Sequence, residues 1–549
     1  MAIAIFDKKI FEKEIGKVDD KMENKISSFG TPVEEINENE IHVEVFPNRP
    51  DLISYHGFKR AFMAFLGKGK GVKNYKVKDP EKNFIVNVNS SLKNVRPFTV
   101  CAVVKNLKLN DERIKEIIDV QEKLHFTIGR KRKKIAIGIY PLDKIKFPIS
   151  FKAIEPKEIK FMPIDSEKEM SGLEILKKHP PGIEYAHLLK GYDKFPVFVD
   201  SDKNVLSMPP ITNSEFAGRV STGTKDVFVE CSGFDLESLK KCLNILSTML
   251  SDMGGQIYQV EVRLGGKKEI TPNLENESMK ISLENVNKLL GLELNEKKMK
   301  ELVERMGYNY KNKMVEIAPW RTDVLHEVDI IEDIAIAYGY DNFVPEIPEI
   351  STIGDESRKD RLKKTLSEIL AGLGMLGVSN YHLSTKEDQF KKMGIVKKDF
   401  LELEASKTEY KILRKDLSHY LMKILSENTD SHYPQKIFEV GKVFDSGGKN
   451  RVSECESLGI AVSPGNFTEM KQIVEYLFRI VDVKISVKEP SDDESPKYFI
   501  NGRTAKIVLN NKEVGFFGEI HPRILRNWKI KMPVALCEIK LDEVLNLMS

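Results

Sequence analysis

The chain has 549 residues, too many for one hydrophobic core, since single cores stop growing near ~250–300 residues and roughly three to five domains are expected here. Hydrophobic content of 41% with 31% charged residues describes a soluble globular chain, and no apolar run approaches the ~20 residues that span a bilayer. Basic and acidic residues nearly cancel, leaving +3; this excludes a protein that coats nucleic-acid phosphates over its whole surface and leaves room for local basic patches. Five scattered cysteines, Cys101, Cys231, Cys242, Cys455 and Cys537, have no metal-ligand spacing and suit a reducing cytoplasm. The opening MAIAIFDKKIFEKEIG turns charged too soon for a secretory signal.

Residues 1–90 read as an N-terminal α/β domain. Alternation over Ile41–Phe46 predicts a strand, Pro47 and Pro50 end it, and Asp51 can cap the helix carrying Phe58, Ala61, Phe62 and Phe65. Arg49 between the two prolines has a fixed backbone, aimed either at a ligand anion or at a structural salt bridge. Residues 91–265 read as an α+β domain: a strand at Thr99–Val104, a helix over Asp111–Leu124, a basic run Arg130, Lys131, Arg132, Lys133 and Lys134, a strand IAIGIY, short strands around LSMPPITNSE and DVFVECSG, and a helix with Leu236, Leu239, Leu243 and Leu246 on one face. The basic run is either a phosphate contact or a solvated loop.

Residues 268–345 outline a winged-helix-like module: two short amphipathic helices each closed by glycine, a hairpin, and a helix ending AYGY. In PWRTDVLHEVDIIEDIAIAYGY, Asp329, Glu332 and Asp333 stand at i, i+3 and i+4 on one helix face, and Asp323 can fold back over it. Four converging carboxylates repel unless a cation neutralises them, and hard oxygen donors without cysteine favour Mg²⁺ over zinc. The competing reading is that acids in a first helical turn simply favour its positive end. The Pro-rich stretch 344–357 reads as a linker. Residues 355–549 then alternate strands and helices from DRLKKTLSEILAGLGML to GEIHPRILRNW.

Four segments, in order along nearly the whole chain, resemble the β subunit of phenylalanyl-tRNA synthetase of the archaeal/eukaryotic type: EVFPNRPDLISYHGFKRA, QEKLHFTIGRKRKKIAIGIYPLDKI, WRTDVLHEVDIIEDIAIAYGYDN and GFFGEIHPRILRNWKIKMPVALCEIKLD. The resemblance implies that Asp323, Asp329, Glu332 and Asp333 bind Mg²⁺. It also implies that the last domain is a catalytically silent class II synthetase-like antiparallel sheet with helices. No Arg-x-Glu follows Asp355, and GEIHPR is not the class II ATP motif, so an α subunit is expected to bind ATP and phenylalanine and to aminoacylate tRNA-Phe within a cytoplasmic α₂β₂ heterotetramer. Phe516, Phe517, Ile520 and Trp528 are candidates for that interface or for the domain's own core.

The resemblance further implies that residues 91–265 form an editing domain, B3/B4-like, that hydrolyses tyrosine wrongly attached to tRNA-Phe. A synthetic site built for phenylalanine cannot strongly reject an isostere bearing one added hydroxyl, so a second site is useful. Resemblance places that pocket at PPITNS and VFVECSG. Asn213, Ser214, Glu230, Ser232 and His125 are its candidates, with Glu230 chosen to recognise the phenol. Asn213 and Ser214 could instead cap a turn, and Glu230 could face solvent from an edge strand. Without a Ser-His-Asp or Cys-His pattern in this domain, the expected step is water attack on the ester. The alternative function is a non-catalytic RNA-binding scaffold.

Overall fold

The computed structural model describes residues 2–349, 352–396, 399–446, 451–491 and 494–548, and the chain divides into two compact units, Met1–Ile347 and Pro348–Ser549.

The first unit opens with β1 (Ala2–Asp7), α1 (Lys8–Glu14), α2 (Asp20–Ser28), β2 (Val33–Ile36), β3 (Glu40–Val45) and α3 (Tyr55–Phe65). Strand β1 alternates buried and exposed residues and pairs antiparallel in the order β1-β3-β2, so this region is α+β rather than the expected α/β. Phe6, Phe11, Phe29, Phe58 and Phe62 fill its core. The cap of α3 is Ser54, which accepts from Gly57 N–H at 2.9 Å. Asp51, the expected cap, takes both arms of Arg49 at 2.9 Å each. Arg49 is therefore a buried structural pair.

An eleven-stranded sheet follows, built from β4 (Val77–Lys78), β5 (Ile85–Val88), β6 (Phe98–Lys105), helix α4 (Asp111–Phe126), β7 (Ile135–Pro141), β8 (Ile149–Ile154), a small ribbon β9 (Lys160–Phe161) and β10 (Met170–Ser171), helices α5 (Gly172–Lys178) and α6 (Pro180–Tyr185), β11 (Phe195–Val199), β12 (Val205–Met208), β13 (Thr212–Asn213), β14 (Val227–Gly233), helix α7 (Leu236–Asp252), β15 (Gln256–Leu264) and β16 (Lys267–Thr271). The ribbon pairs only with itself; the main path is β13-β12-β11-β8-β5-β15-β6-β14-β7, with β4 and β16 also on β15. Boundaries at 90 and at 265–268 therefore cut through one sheet: β4, β5 and β16 carry the backbone partners of β15. Burial on both faces explains why β6, β7 and β14 are nearly continuous apolar runs.

Next come β17 (Glu277–Lys280), α8 (Leu283–Leu290), α9 (Glu296–Arg305), β18 (Asn309–Lys311), β19 (Met314–Ile317) and α10 (Glu327–Tyr338), with a three-stranded sheet ordered β17-β19-β18. Gly291 ends α8 in the left-handed region at φ 65°, where a side chain would be strained. Val286, Leu302, Ile330 and Ile334 join one core with α7 and the N-terminal phenylalanines.

The second unit contains α11 (Arg358–Gly372), β20 (Leu376–Gly377), β21 (Leu383–Ser384), β22 (Ile412–Leu413), α12 (Ser418–Glu427), β23 (Gln435–Ser446), β24 (Val452–Ser463), α13 (Phe467–Ile480), β25 (Ser486–Lys488), β26 (Phe499–Leu509), β27 (Lys512–Ile520), α14 (Pro522–Asn527), β28 (Ala535–Lys540) and α15 (Leu541–Met548). Seven strands run β20-β23-β24-β28-β27-β26-β25, antiparallel except where β20 meets β23. Phe517, Ile520 and Trp528 are buried inside this unit, so of the four interface candidates only Phe516 keeps partial exposure. Among the described residues, no helix is long and apolar enough to cross a membrane.

Candidate active site

Strand β14 lies between β6 and β7, with Glu230 opposite Cys101 on one side and Gly138 on the other. It is not an edge, and Glu230 is 1% exposed. Pairing puts Phe228 opposite Tyr140, Glu230 opposite Gly138 and Ser232 opposite Ala136, so these six side-chain positions share one face. Gly138 is the void that makes the arrangement possible. A Cβ there would lie 2.1 Å from Tyr140 Oη and 2.7 Å from Glu230 Oε1.

Tyr140 Oη stands 3.2 Å from Glu230 Oε1, 2.8 Å from Ser207 Oγ on β12 and 3.4 Å from Asn213 Oδ1 on β13. Strands β7 and β13 are opposite ends of the sheet path, so the sheet curls until its ends meet through side chains. Glu230 Oε2 is buried without a hydrogen-bond partner. Burial raises the Glu230 carboxyl to about 8, against the pull of the Arg96 guanidinium and the Tyr140 and Ser232 hydroxyls. Arg96, 2% exposed, donates from Nε to Ser232 Oγ at 3.0 Å and from Nη2 to the Ser232 carbonyl at 2.6 Å. Burial depresses the Arg96 guanidinium to about 10. Ser232 thus anchors Arg96, whose charge acts on Glu230 without a hydrogen bond to it, and Ser232 is not among the residues lining the cavity.

That cavity, about 460 Å³, lies between α4, β7 and the turn before β13, with Glu122, His125, Arg132, Ile211, Asn213 and Glu230 among its walls. Its size falls in the ~300–1,000 Å³ range of small-molecule sites. His125 has no free nitrogen: Nε2 accepts from Ile137 N–H at 2.8 Å, which leaves Nδ1–H to donate to Glu122 at 3.1 Å. Burial lowers its pKa, Arg132 and Arg96 add to that, and Glu122 opposes it. His125 is neutral wall, not a general base. Burial also works against ionising Glu122, but His125 and Arg132 outweigh it and hold that carboxyl at about 2.

The basic run separates into two roles. Arg130, Lys131 and Arg132 take φ of 46°, 54° and 64°, a left-handed turn that costs about 1–2 kcal/mol per non-glycine residue. The turn sends Arg132 inward. Its Nη2 reaches both Glu122 oxygens at 3.0 Å, its Nη1 donates to the Ile211 carbonyl at 2.9 Å, and its guanidinium lies 4.6 Å from the Tyr185 ring centroid. Arg132 is therefore a cavity wall rather than a phosphate contact; Arg130, Lys131, Lys133 and Lys134 stay exposed. Asn213 lines the cavity. Ser214 sits behind it, its N–H on the Leu206 carbonyl at 2.8 Å and its Oγ buried without a partner.

The four carboxylates of the expected magnesium site lie near enough for Asp333, Asp329 and Asp323 all to raise Glu332, but they do not converge on one point. Among the described residues no three such groups surround one point. Arg321 is the reason. Its Nε and Nη2 grip Asp323 at 2.8 and 2.7 Å, and Nη2 also reaches Asp333 at 2.8 Å. Tyr308 adds a hydrogen bond to the same Asp333 oxygen at 2.5 Å. Burial would raise Asp323, but Arg321 and then Arg49 hold it low. Asp329 caps α10, accepting from Leu325 and His326 N–H at 2.7 Å each. Glu332 is exposed, raised first by desolvation and then by Asp333, Asp329 and Asp323. Arg321 pairs with two of the four carboxylates and offsets one negative charge; as placed, the four side chains do not form a four-carboxylate Mg²⁺ shell. The buried face of α10 includes Asp333 with Ile330, Ile334 and Ala337, while Val328 is half exposed.

The profile described as "Phenylalanyl tRNA synthetase beta chain CLM domain" matches residues 344–541, a "tRNA synthetase B5 domain" matches 279–340, and a "B3/4 domain" matches 87–249. The phenylalanine–tRNA ligase β subunit of Archaeoglobus fulgidus is 39% identical over 540 residues, 97% of this chain and 96% of that one. The chain belongs to the phenylalanine–tRNA ligase β-subunit family. The β subunit of Methanocaldococcus jannaschii is 38% identical over 95% of this chain and 96% of its own. A solved N-terminal fragment of the β subunit of Pyrococcus horikoshii covers 61% of this chain and 99% of that fragment, with 38% identity and a TM-score of 0.58. The cavity at Glu230 thus falls in the B3/4 match and the Arg321 cluster in the B5 match. Sequence reading missed Tyr140, Ser207 and Arg96. A period-2 count along IAIGIY places Tyr140 on the face of Gly138, but only the strand pairing brings either to Glu230.

Proposed function

We propose that this chain serves as the β subunit of an α₂β₂ phenylalanine–tRNA ligase in the cytoplasm and that its Glu230 cavity hydrolyses Tyr-tRNA-Phe. Its α partner binds ATP and phenylalanine and carries out aminoacylation; the second unit acts as a class II-like assembly domain without its own adenylate chemistry. The observation that carries the editing reading is the buried Glu230 whose Oε2 has no partner, in the wall of a cavity of about 460 Å³.

A buried polar atom without a partner costs about 1–3 kcal/mol. A tyrosyl phenol brought to Oε2 removes that cost, whereas a phenylalanyl ring leaves it in place. The ester carbon is then open to water, oriented by cavity polar groups such as Asn213 and by the tRNA's own hydroxyls. Exposed Arg130, Lys131, Lys133 and Lys134 lie on the turn beside the cavity, where an acceptor-end phosphate would meet them. The test is clearance of Tyr-tRNA-Phe and Phe-tRNA-Phe by the purified α/β complex, with ATP–pyrophosphate exchange measured on the β chain alone. The expected outcome is clearance of the tyrosyl ester, sparing of the phenylalanyl ester and no exchange. Clearance of neither ester leaves the scaffold reading; exchange by β alone overturns the division of labour.

A further inference from the structure

We infer that Tyr140 is the positioning residue of the editing reading above: its hydroxyl binds Glu230 Oε1 and thereby presents Oε2 as the one oxygen open to a substrate phenol. The inference rests on that reading. Tyr140 is fully buried and its ring stacks on Phe228 at 6.0 Å between centroids, so its hydroxyl has little freedom. Two of the contacts already described decide its direction. A phenol has one proton, and an ionised carboxylate only accepts. The Tyr140 proton therefore goes to Glu230 Oε1, and the Ser207 hydroxyl supplies its own proton to Tyr140 Oη. When Glu230 takes up a proton and the Tyr140 bond to Oε1 is kept, Oε1 stays the acceptor and the acid proton resides on Oε2. In either state Oε2, buried without a partner on a residue of the cavity wall, has a defined role: acceptor when ionised, donor when neutral.

This deepens the choice between tyrosine and phenylalanine. A hydrogen bond to a charged group is worth about 1.5–3 kcal/mol and one between neutral groups about 0.5–1.5 kcal/mol. Both states favour the tyrosyl ester, and the ionised one favours it more. Burial is the main cause that raises Glu230, and the Tyr140 hydrogen bond works against it. The groups facing Glu230 are Tyr140 on β7, Cys101 on β6, and Arg96 by its charge. Gly138 completes the device, because any side chain there would occupy the space between the phenol and the carboxyl.

The experiment compares Tyr140→Phe, Ser207→Ala and the double variant with the unsubstituted α/β complex, measuring kcat/KM for both esters from pH 6.5 to 9 after subtraction of spontaneous hydrolysis. Tyr140→Phe keeps the packed ring and removes only the hydroxyl. We expect tyrosyl clearance to fall about tenfold, equivalent to ~1.4 kcal/mol, with the phenylalanyl ester barely affected. The rise of tyrosyl selectivity with pH, centred near 8 in the parent, should move to higher pH, which a merely structural contact would not cause. Ser207→Ala should give a smaller loss in the same direction, and the double variant should be no worse than Tyr140→Phe, since both act through one hydroxyl. Parental selectivity and a parental pH midpoint in Tyr140→Phe overturn the inference while leaving editing intact. Losses that simply add point to two separate roles and overturn it too. If the unsubstituted complex clears neither ester, the editing reading fails and this inference falls with it.

Discussion

Two buried acidic centres in the first unit treat charge in opposite ways. At the head of α10, Asp323 and Asp333 share Arg321 through three hydrogen bonds of 2.7–2.8 Å. On β14, Glu230 has a hydrogen bond from Tyr140 rather than from an arginine and keeps one oxygen unpaired. The first centre is satisfied internally and ties the segment before α10 to the helix and to Tyr308. The second is left wanting a partner in the wall of a cavity. Full compensation marks a structural role, and incomplete compensation marks the place where a ligand completes the network.

The largest effect that sharpens this contrast is on stability. Arg321→Ala should destabilise the protein by about 3–5 kcal/mol, because it strands two buried carboxylates, read as a lowered midpoint in denaturant. A chelator added to the unsubstituted protein should leave that midpoint unchanged. A drop on chelation, restored by Mg²⁺, would give the metal the role assigned here to the arginine.

A pH-dependent effect follows from the sign of the Glu230 shift. Its folded value is raised to about 8, above the ordinary ~4.3 of an unfolded chain. The bound proton therefore contributes stability that is fully present below about pH 4 and is lost as pH rises through about 8. Glu230→Gln, which cannot ionise, should gain on the parent progressively over that window, by up to about 5 kcal/mol at pH 9. A difference in unfolding free energy that stays flat from pH 5 to 9 would show Glu230 to be compensated like Asp323.

The smallest effect concerns the exposed cations of the left-handed turn. Lys131→Ala and Lys133→Ala should each weaken tRNA-Phe binding by less than about 1 kcal/mol and make it less salt-dependent. Arg132→Ala should instead disturb the cavity wall, because its guanidinium is engaged with Glu122 and the Ile211 carbonyl. Equal, salt-sensitive losses at all three positions would put Arg132 back among the phosphate contacts.

Much of this was legible in the residues. Alternation in VFVECSG identified a strand with Glu230 and Ser232 on one face, and the glycine-closed helices of 283–305 appear where their periodicity put them. What the residues did not reveal were the partners that side chains and strands choose. Asp323, Asp329, Glu332 and Asp333 have cation-site spacing, yet Arg321 lies only two residues before Asp323 and answers two of them; its fork geometry, not its spacing, made it the partner. His125 lines the cavity as its candidacy required, but that an amide and a carboxylate 12 and 3 residues away hold both its nitrogens is visible only in the structure. Strand β15 pairs with strands on both sides of the boundaries read at 90 and 268, a pairing that no local pattern announces. Tyr140 and Ser207 are 67 residues apart and meet only because the sheet curls.

The most direct test of the central claim is Glu230→Ala in the intact α/β complex, with deacylation of Tyr-tRNA-Phe and Phe-tRNA-Phe followed side by side at neutral pH. Removing the unpaired carboxyl, largely neutral at that pH, should cut tyrosyl clearance roughly two- to tenfold, equivalent to about 0.5–1.5 kcal/mol, and bring the two esters close to parity. Tyrosyl clearance at the parental rate with parental selectivity would contradict the account and show that the phenol is recognised elsewhere.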